Sequence, residues 1–312
     1  MISIVLPAYS EEDNIRPLCR EIIAYLEESS GFEIIFVDDG SRDLTYERIE
    51  ELARIDARVK GIRLSRNFGH QTALLAGLNE AAGEVVIMMD ADGQHPPSMI
   101  PRLIEKLDEG FDVVNTTRID ARGTGLFKRI SSRWFYRVFN TLSDTRIEPA
   151  SADFRIMNRK ALDAFLTIEE HDRFTRGLVS WMGFRQTHLP YQAEKRISGR
   201  SKYSLKRMRL FAFDGVTSFS SKPLRISMIL GLATILGGFV YMIYAVVMYL
   251  QGHTNPGWTS LLITVLLIGG IQLFSIGILG EYLGRIFHEA KRRPHYFIEK
   301  RTSKPGSQGS KR

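Results

Sequence analysis

The sequence predicts an α/β fold with a mostly parallel sheet, followed by a pair of membrane-spanning helices. Short apolar runs alternate with segments of helical periodicity over roughly the first 115 residues, a pattern typical of repeated βαβ units. Polar and acidic residues follow several of these runs, at the positions where parallel strands meet at one edge of a sheet. Two long segments near the C-terminus carry almost no charge, as membrane spans require.

The elements follow one another regularly along the first part of the chain. Apolar runs predict β-strands at Ile2–Leu6, Glu33–Val37, Val59–Leu64, Glu84–Met89 and Asp112–Asn115. Helical spacing between these runs predicts helices near Ile15–Glu28, Leu44–Ile55, Gln71–Ala82 and Met99–Glu109. Each helix would connect two parallel strands, so that a ligand site lies at the carboxyl ends of the strands.

Two aspartates directly follow the fourth predicted strand. Asp90 and Asp92 are two residues apart, so in an extended chain both side chains project to the same side. Together they can hold one hard divalent cation, Mg²⁺ or Mn²⁺, and its diphosphate. Such a pair on its own is more often a helix cap or a solvated loop, and the interpretation depends on the motifs on either side.

Two further loops carry polar residues at the same edge. Pro7 fixes the backbone after the first strand, and Tyr9 offers an aromatic face against which a flat base can lie. Asp38 and Asp39 end the second strand, and either can accept a hydrogen bond from a base N–H group. A plain turn into the following helix explains these two aspartates equally well.

Taken together, the motifs resemble those of the family 2 inverting glycosyltransferases, which have the Rossmann-like GT-A fold. The resemblance covers about the first two hundred residues and includes Asp153-Phe154-Arg155. It departs from the family pattern at Ser10, where Asn is usual. The resemblance and the loop positions imply a nucleotide-sugar site at Pro7, Ala8, Tyr9, Glu11, Asp38, Asp39, Gly69, Gln71, Asp90, Ala91 and Asp92. It also implies that Asp92 and Asp153 are catalytic and that Asp90 and Asp92 bind the metal.

The C-terminal third predicts a membrane anchor. Segments at about 226–250 and 259–283 are each long enough to cross a hydrocarbon layer of about 30 Å. The connecting loop has no charged residue, while basic residues such as Lys222 and Arg292 flank the pair, so both termini are expected in the cytoplasm. The chain opens with a predicted strand, so no cleavable signal peptide is expected. A lone cysteine, Cys19, fits the reducing cytosolic side of the inner membrane.

The net charge of +7 favours anionic partners. No nucleic-acid-binding motif is present, so the bilayer surface and lipid phosphates are the expected partners rather than nucleic acid. Forked guanidinium groups suit phosphate oxygens. The candidate lipid-phosphate ligands are Arg118, Arg129, Arg133, Arg200 and Lys202. A solvated basic helix face remains an alternative for Arg129 and Arg133, which are four residues apart.

The predicted organisation is a GT-A domain at 1–200, an interfacial amphipathic helix at 201–222, a transmembrane hairpin at 223–285 and a cytoplasmic basic tail at 286–312. Arg301 to Arg312 is expected to be disordered. The two spans and the segment around Arg200 narrow the resemblance to the polyprenyl-phosphate glycosyltransferases, which include bactoprenol glucosyltransferases and dolichol-phosphate mannose synthases. The resemblance implies transfer of one sugar, with UDP-glucose the first choice of donor, to undecaprenyl phosphate at the cytoplasmic membrane face.

Three alternatives remain open at this point. The donor can be GDP-mannose instead of UDP-glucose. A processive polysaccharide synthase shares the GT-A part, but the Gln-x-x-Arg-Trp motif of those enzymes is missing here, and two spans are few for a polymer channel. A membrane-tethered binding protein without activity is the third, and intact Asp90, Asp92 and Asp153 disfavour it. Glycines in the second span, such as Gly269 and Gly277, are compatible with a homo-oligomer.

The role of Asp153 is likewise left between two chemistries. The resemblance makes it the catalytic base. A phosphomonoester has a second pKa near 6, however, and is already largely a dianion at neutral pH. We therefore expect Asp153 to orient the acceptor. A third interpretation is a buried acid that simply pairs with Arg155.

Overall fold

An eight-stranded sheet is the framework of the larger of two units into which the chain divides. The computed structural model describes residues 1–27, 31–119, 151–171, 173–192, 222–252 and 257–302. The larger unit contains the sheet, its helices and, among the described residues, the chain from Arg293 to Thr302. The smaller unit contains two long apolar helices.

The strands are β1 (Ile2–Ala8), β2 (Phe32–Asp38), β3 (Val59–Leu64), β4 (Val85–Met88), β5 (Val113–Ile119), β6 (Ser151–Asn158), β7 (Gln186–Gln192) and β8 (Ile298–Arg301). The helices are α1 (Ile15–Leu26), α2 (Thr45–Ile55), α3 (His70–Glu80), α4 (Ile100–Asp108), α5 (Arg159–Leu166), α6 (Thr175–Trp181), α7 (Lys222–Leu250) and α8 (Trp258–Ala290). A short 3-10 turn at Pro97–Met99 precedes α4.

The centre of the sheet is parallel, as the sequence predicts. Strands β4, β1, β2 and β3 are neighbours in that order and run in the same direction. Their apolar residues are buried because helices cover both faces. Helix α3 packs closely on this centre through Gly77, where an added Cβ would lie 2.4 Å from Val5 Cγ1 and 2.9 Å from Val37 Cγ2. The predicted α/β fold is therefore confirmed.

Strand β6 breaks the parallel order in a way that the sequence analysis did not anticipate. It lies between β4 and β5 and is antiparallel to both. The chain enters β6 at the edge where β4 ends, so the first residues of β6 reach the carboxyl edge of the parallel strands. This reversal brings a chain segment that begins at Ser151 to the predicted ligand site.

The segment after α8 returns to the sheet as β8. This strand pairs antiparallel with β3 at the outer edge, within the stretch predicted as a basic tail. Arg301, predicted to be disordered, is its last residue, and Thr302 N donates to Gly61 O at 2.9 Å. The rest of the predicted disordered segment, 303–312, lies outside the described residues.

The smaller unit contains the predicted hairpin. Helices α7 and α8 contact each other, and each holds a segment long and apolar enough to cross a membrane, Leu224–Leu250 and Ile263–Ala290. Both segments have a mean hydropathy of 2.1. Helix α8 continues seven residues beyond the predicted end at 283, to Ala290. The predicted interfacial helix at 201–222 lies outside the described residues except for Lys222, which begins α7.

Candidate active site

The predicted motifs meet at the carboxyl edge of the parallel strands. β1, β2 and β4 all end there, and β6 begins there. The antiparallel register pairs Met88 of β4 with Arg155 of β6. Asp90 and Asp153 each lie two residues beyond this pair, at the same edge of the sheet. Two motifs that are 63 residues apart in the chain thus lie side by side.

The loop after β1 is fastened to the loop after β2. The backbone N–H groups of Ser10 and Glu11 donate to Ser41 Oγ at 3.0 Å and to Thr45 Oγ1 at 2.9 Å. Ser10 has a φ of 58°, in the left-handed region that Asn adopts more readily than Ser. Ser10 therefore adopts this turn under mild strain.

Within this loop, the predicted residues differ in what they present. Pro7 and Ala8 are buried in β1 and contribute backbone and shape. Tyr9 is 42% exposed, so its aromatic side chain is accessible at the surface. The Glu11 carboxylate accepts a hydrogen bond from the buried Asn14 side chain, which holds it at the start of α1.

Asp39 joins two loops of the site. Its Oδ1 accepts from Phe68 N at 2.7 Å, and its Oδ2 accepts from Gly69 N at 2.9 Å. Burial raises the pKa of Asp39, and the two backbone donors limit that rise. Gly69, with a φ of 100°, turns the chain into α3 directly after these contacts. The carboxylate thereby sets the path of the 65–69 loop, which follows β3.

Asp38 is fully buried and connects the loop after β2 with Arg63 of β3. Its Oδ1 accepts from Ser41 N at 3.0 Å, and its Oδ2 lies 3.5 Å from Arg63 Nε. Burial raises the pKa of Asp38, while the Ser41 hydrogen bonds and the Arg63 charge oppose the rise. Gly40 follows with a φ of 69°, and a Cβ there would lie 2.5 Å from the Arg66 carbonyl carbon. Only glycine allows the two loops to approach this closely.

The Asp90 carboxylate lies between two histidines. His70 Nε2 is 3.3 Å from Asp90 Oδ1, and His95 Nε2 is 3.7 Å from Asp90 Oδ2. His95 is buried, stacks on Phe154 and accepts from Asp90 N through Nδ1 at 2.9 Å. A neutral ring that accepts at Nδ1 carries its proton on Nε2, so this hydrogen faces the Asp90 carboxylate.

Asp92 shapes the turn that follows. Its Oδ1 accepts from Gln94 N at 3.1 Å, and the intervening chain turns through Gly93, with a φ of 74°. Ala91 is buried and separates the two carboxylates. Arg118 at the end of β5 donates to Gln94 Oε1 at 3.0 Å, so this candidate lipid-phosphate residue lies beside the Asp92 turn.

Asp153 is held by two guanidinium groups. Arg176 at the start of α6 makes a bidentate pair, with Nε to Oδ1 and a terminal nitrogen to Oδ2, both 3.0 Å. Arg155, whose side chain is 1% exposed, lies 3.5 Å from Oδ1. Burial would raise the pKa of Asp153, but the Arg176 charge and hydrogen bonds, with Arg155 behind them, hold the pKa far below its usual range. Asp153 is therefore an ionised carboxylate and a weak base.

The remaining predicted residues divide into placed and undescribed ones. Gln71 in the first turn of α3 accepts a hydrogen bond from the buried Thr175, which docks α6 beside the site. Three arginines and one lysine of the candidate lipid-phosphate set lie outside the described residues: Arg129, Arg133, Arg200 and Lys202.

Sequence reasoning missed two residues of this site. Arg176 had no local signal, because its partner lies 23 residues earlier and only the reversed β6 brings them together. His95 was visible three residues after Asp92, and the apolar Pro96 and Pro97 that follow it point to burial. One alternative interpretation of the sequence paired Asp153 with Arg155. Arg155 is near Asp153, but the closer and bidentate partner is Arg176.

The donors at Asp90 and Asp92 fit a hard divalent cation whose other ligands come from the substrate and water. The described part of the chain holds no group of three or more metal-ligating side chains. Mg²⁺ is commonly held by only one or two carboxylates and otherwise by phosphate oxygens and water. Two carboxylates at an open strand end therefore match this mode of binding better than a closed protein cage.

Comparison with known proteins gives two family matches. Residues 3–166 match the family described as glycosyl transferase family 2, and residues 222–286 match the GtrB C-terminal hairpin. A protein named uncharacterized glycosyltransferase YkcC of Bacillus subtilis is 41% identical, over 96% of this chain and 93% of its own length. The bactoprenol glucosyl transferase of Shigella phage SfX is 38% identical, over 96% of this chain and 99% of its own length. The prophage bactoprenol glucosyl transferase homolog of Escherichia coli K12 is 38% identical, over 96% and 98%.

Solved structures are more distant. The glucosyl-3-phosphoglycerate synthase of Mycobacterium tuberculosis is 21% identical, with 70% of this chain and 78% of that chain covered and a TM-score of 0.46. A similarity of this size supports no argument about substrate or mechanism.

Proposed function

Because this chain belongs to glycosyltransferase family 2, we propose that it transfers a single glucose from UDP-glucose to a polyprenyl phosphate at a membrane surface. The observation that carries the proposal is the meeting of Asp90 with Asp153 and Arg176 at one sheet edge, in a chain that also has the hairpin at 222–286. Relatives named bactoprenol glucosyl transferase, aligned over almost the whole chain, support glucose and a polyprenyl lipid as substrates.

The donor half of the proposed site is formed by the loops after β1, β2 and β4. Tyr9 presents its exposed ring to the uracil, and Asp38 and Asp39 fix the loops around the base and ribose. Asp90 and Asp92 would hold Mg²⁺ or Mn²⁺ at the diphosphate. When bound, that cation neutralises the charge of the leaving group.

The acceptor half of the proposed site is the guanidinium pair around Asp153. Two guanidinium charges and one carboxylate leave this trio with a net charge of +1, which attracts a phosphate dianion. An acceptor phosphate oxygen attacks the anomeric carbon as the bond from that carbon to the UDP oxygen breaks, and UDP leaves with the electron pair. The configuration inverts in this single displacement.

Asp153 orients the acceptor in this scheme. Its carboxylate already holds Arg176 through two hydrogen bonds and has a pKa far below neutrality, so it has little tendency to take a proton. The acceptor phosphate is largely a dianion at neutral pH, so hardly any proton has to be removed from it. What Asp153 supplies is a fixed direction for Arg176, with its phosphate-binding edge beside the reacting carbon.

The membrane part of the proposal completes the acceptor site. Arg118, Arg129, Arg133, Arg200 and Lys202 would bind the lipid phosphate, and the segment at 201–222 would lie at the headgroups. The flanking charges favour both termini and the catalytic unit on the cytoplasmic side of the inner membrane. Glycines in α8 would allow self-association through close helix packing.

A transfer assay with extracted lipid tests the function directly. Purified protein in detergent is given undecaprenyl phosphate, Mg²⁺ or Mn²⁺, and radiolabelled UDP-glucose or GDP-mannose in parallel. We expect one labelled lipid that carries a single glucose, formed from UDP-glucose. A labelled polymer, label from GDP-mannose alone, or no labelled lipid would each overturn the proposal.

A further inference from the structure

The chain after the hairpin binds to the catalytic unit beside the candidate active site. Its last described residues, His295 to Thr302, pair with β3 and with the loop that follows it. Ser65 N donates to Phe297 O at 2.9 Å, and Gly61 N donates to Thr302 Oγ1 at 2.8 Å. These contacts extend the ladder of β8 at both ends, so the segment is a fixed part of the sheet. We call residues His295–Thr302 the C-terminal strap.

Side chains of the strap reach the loop that Asp39 holds. The Phe297 ring lies 6.4 Å from the Phe68 ring, and Phe68 N is a donor to Asp39. The Arg66 guanidinium also stacks on Phe68, 4.0 Å from the ring centre. The 65–69 loop is thus fixed from one side by Asp39 and from the other by Phe297.

A second connection runs through Arg63. Glu299 Oε2 lies 3.4 Å from Arg63 Nε, and the same nitrogen lies 3.5 Å from Asp38 Oδ2. Arg63 also donates to Ser41 O at 3.1 Å. The exposed Glu299 therefore balances and orients the cation that faces the fully buried Asp38.

The strap also contacts the other side of the site. The His295 ring stacks with His171 at 4.9 Å, in the chain that leads into α6 and Arg176. Asn79 Nδ2 of α3 donates to Tyr296 Oη at 3.2 Å. Three elements that surround the site, the 65–69 loop, α3 and the approach to α6, are therefore held by one short segment.

We propose that the C-terminal strap is a positioning element for the nucleotide-sugar site, with Phe297 and Glu299 as its positioning residues. The strap acts through the 65–69 loop and Arg63. This inference rests on the proposed function only for the identity of the donor. It assigns a role in donor binding to a segment that the sequence predicts as part of a cytoplasmic basic tail.

Two truncations separate the strap from the tail behind it. One variant stops after Thr302 and keeps the strap, and the other stops after Pro294 and removes it. Both truncated variants keep the hairpin and are purified in detergent beside the wild type. UDP-glucose binding with MgCl₂ is measured by calorimetry, and KM is measured for UDP-glucose and for undecaprenyl phosphate. We expect the first variant to match the wild type. We expect the second to lose about tenfold or more in UDP-glucose affinity, since small displacements of binding groups have large effects.

Point variants keep the test decisive if the shorter protein does not fold. The double variant Phe297→Ala and Glu299→Gln removes both connections but leaves the backbone ladder, and Lys300→Gln on the opposite strand face is the matched control. We expect the double variant to weaken UDP-glucose binding with an unchanged melting temperature and an unchanged KM for the lipid, and the control to resemble the wild type. Wild-type UDP-glucose affinity in the double variant, or equal losses for both substrates, would overturn the positioning role. If the wild type itself binds no UDP-glucose, the proposed function fails instead.

Discussion

Replacing Asp153 by Asn tests whether this residue orients the acceptor or removes a proton. The change preserves the shape of the side chain but removes the charge that faces Arg176 and Arg155. The net charge of the three side chains then rises from +1 to +2. In the wild type, two Arg176 donors each lie 3.0 Å from a carboxylate oxygen, and in the variant one of them faces the Asn NH₂ group, which is also a donor. Removing one partner of a buried ion pair costs about 3–5 kcal/mol.

The cost should fall at the lower end of that range, because the side chains of Asp153 and Arg176 keep 12% and 25% of their exposure. About 3 kcal/mol corresponds to a melting temperature lower by roughly 6–12 °C for a unit of this size. The surface variant Asp163→Asn, which loses an exposed pair with Arg159 in α5, is the control and should change stability by less than about 1 kcal/mol.

The pH dependence follows from the depressed pKa of Asp153. A carboxylate whose folded pKa lies below its unfolded value stabilises the fold fully above the unfolded pKa, about 3.9. That contribution is lost only as the pH falls through the folded pKa. Between about pH 5.5 and 8.5 the Asp153 charge does not change, so the loss of kcat in Asp153→Asn should be nearly constant.

The assay is kcat against pH for the wild type and Asp153→Asn, with saturating UDP-glucose and undecaprenyl phosphate. A base would matter most at low pH, where a larger share of the acceptor phosphate carries a proton. A defect that shrinks steeply as the pH rises would therefore refute the orienting role and favour general base catalysis.

Three further predictions address the cation, the lipid and the loops. Asp92→Ala should lower kcat/KM about a thousandfold or more while the protein stays folded. The reason is that a bound metal stabilises the charge of the transition state by several kcal/mol. Undiminished wild-type turnover in excess chelator would contradict this prediction. Alanine variants of three candidate lipid-phosphate ligands, Arg129, Arg133 and Arg200, should raise KM for polyprenyl phosphate far more than KM for UDP-glucose. Equal effects on both KM values would indicate a general surface-charge role. Gly40→Ala should destabilise the catalytic unit by about 2–4 kcal/mol in chemical denaturation, since a Cβ at a φ of 69° meets backbone 2.5 Å away, and a loss below about 1 kcal/mol would show that the loops can separate freely.

The parallel half of the fold was predictable because its strands are buried on both faces. Runs such as Ile34-Ile35-Phe36-Val37 carry enough apolar residues to be recognised alone, and the structure places β1 to β5 within a few residues of the predicted strands. The edge strands β7 and β8 lack that signal. β8 reads Ile-Glu-Lys-Arg and is mostly exposed, so only its pairing with β3 makes it a strand.

The site was predictable where a motif is local and not where it depends on topology. Asp90 and Asp92 lie together in the sequence, and their place at a strand end follows from the apolar run before them. The bidentate pair of Asp153 and Arg176 depends on the antiparallel direction of β6. The hydrophobic periodicity of the sequence does not predict that direction. The burial of Asp38 and Asp39 was equally hidden, because an acidic turn at a strand end is usually solvated.

The antiparallel direction of β6 also brings the end of β5 and the start of β6 together. β5 and β6 are antiparallel neighbours, with Thr117 opposite Ser151, so the chain leaves and re-enters the sheet at the same place. The two ends of the connecting segment are therefore fixed at the edge of the sheet, near Asp153. Residues 120–150 connect these two ends, so exchanging them between relatives would leave the sequences of β4, β5 and β6 unchanged. Transfer assays on chimeras joined at these two residues would measure whether the connecting segment sets the preference for the acceptor.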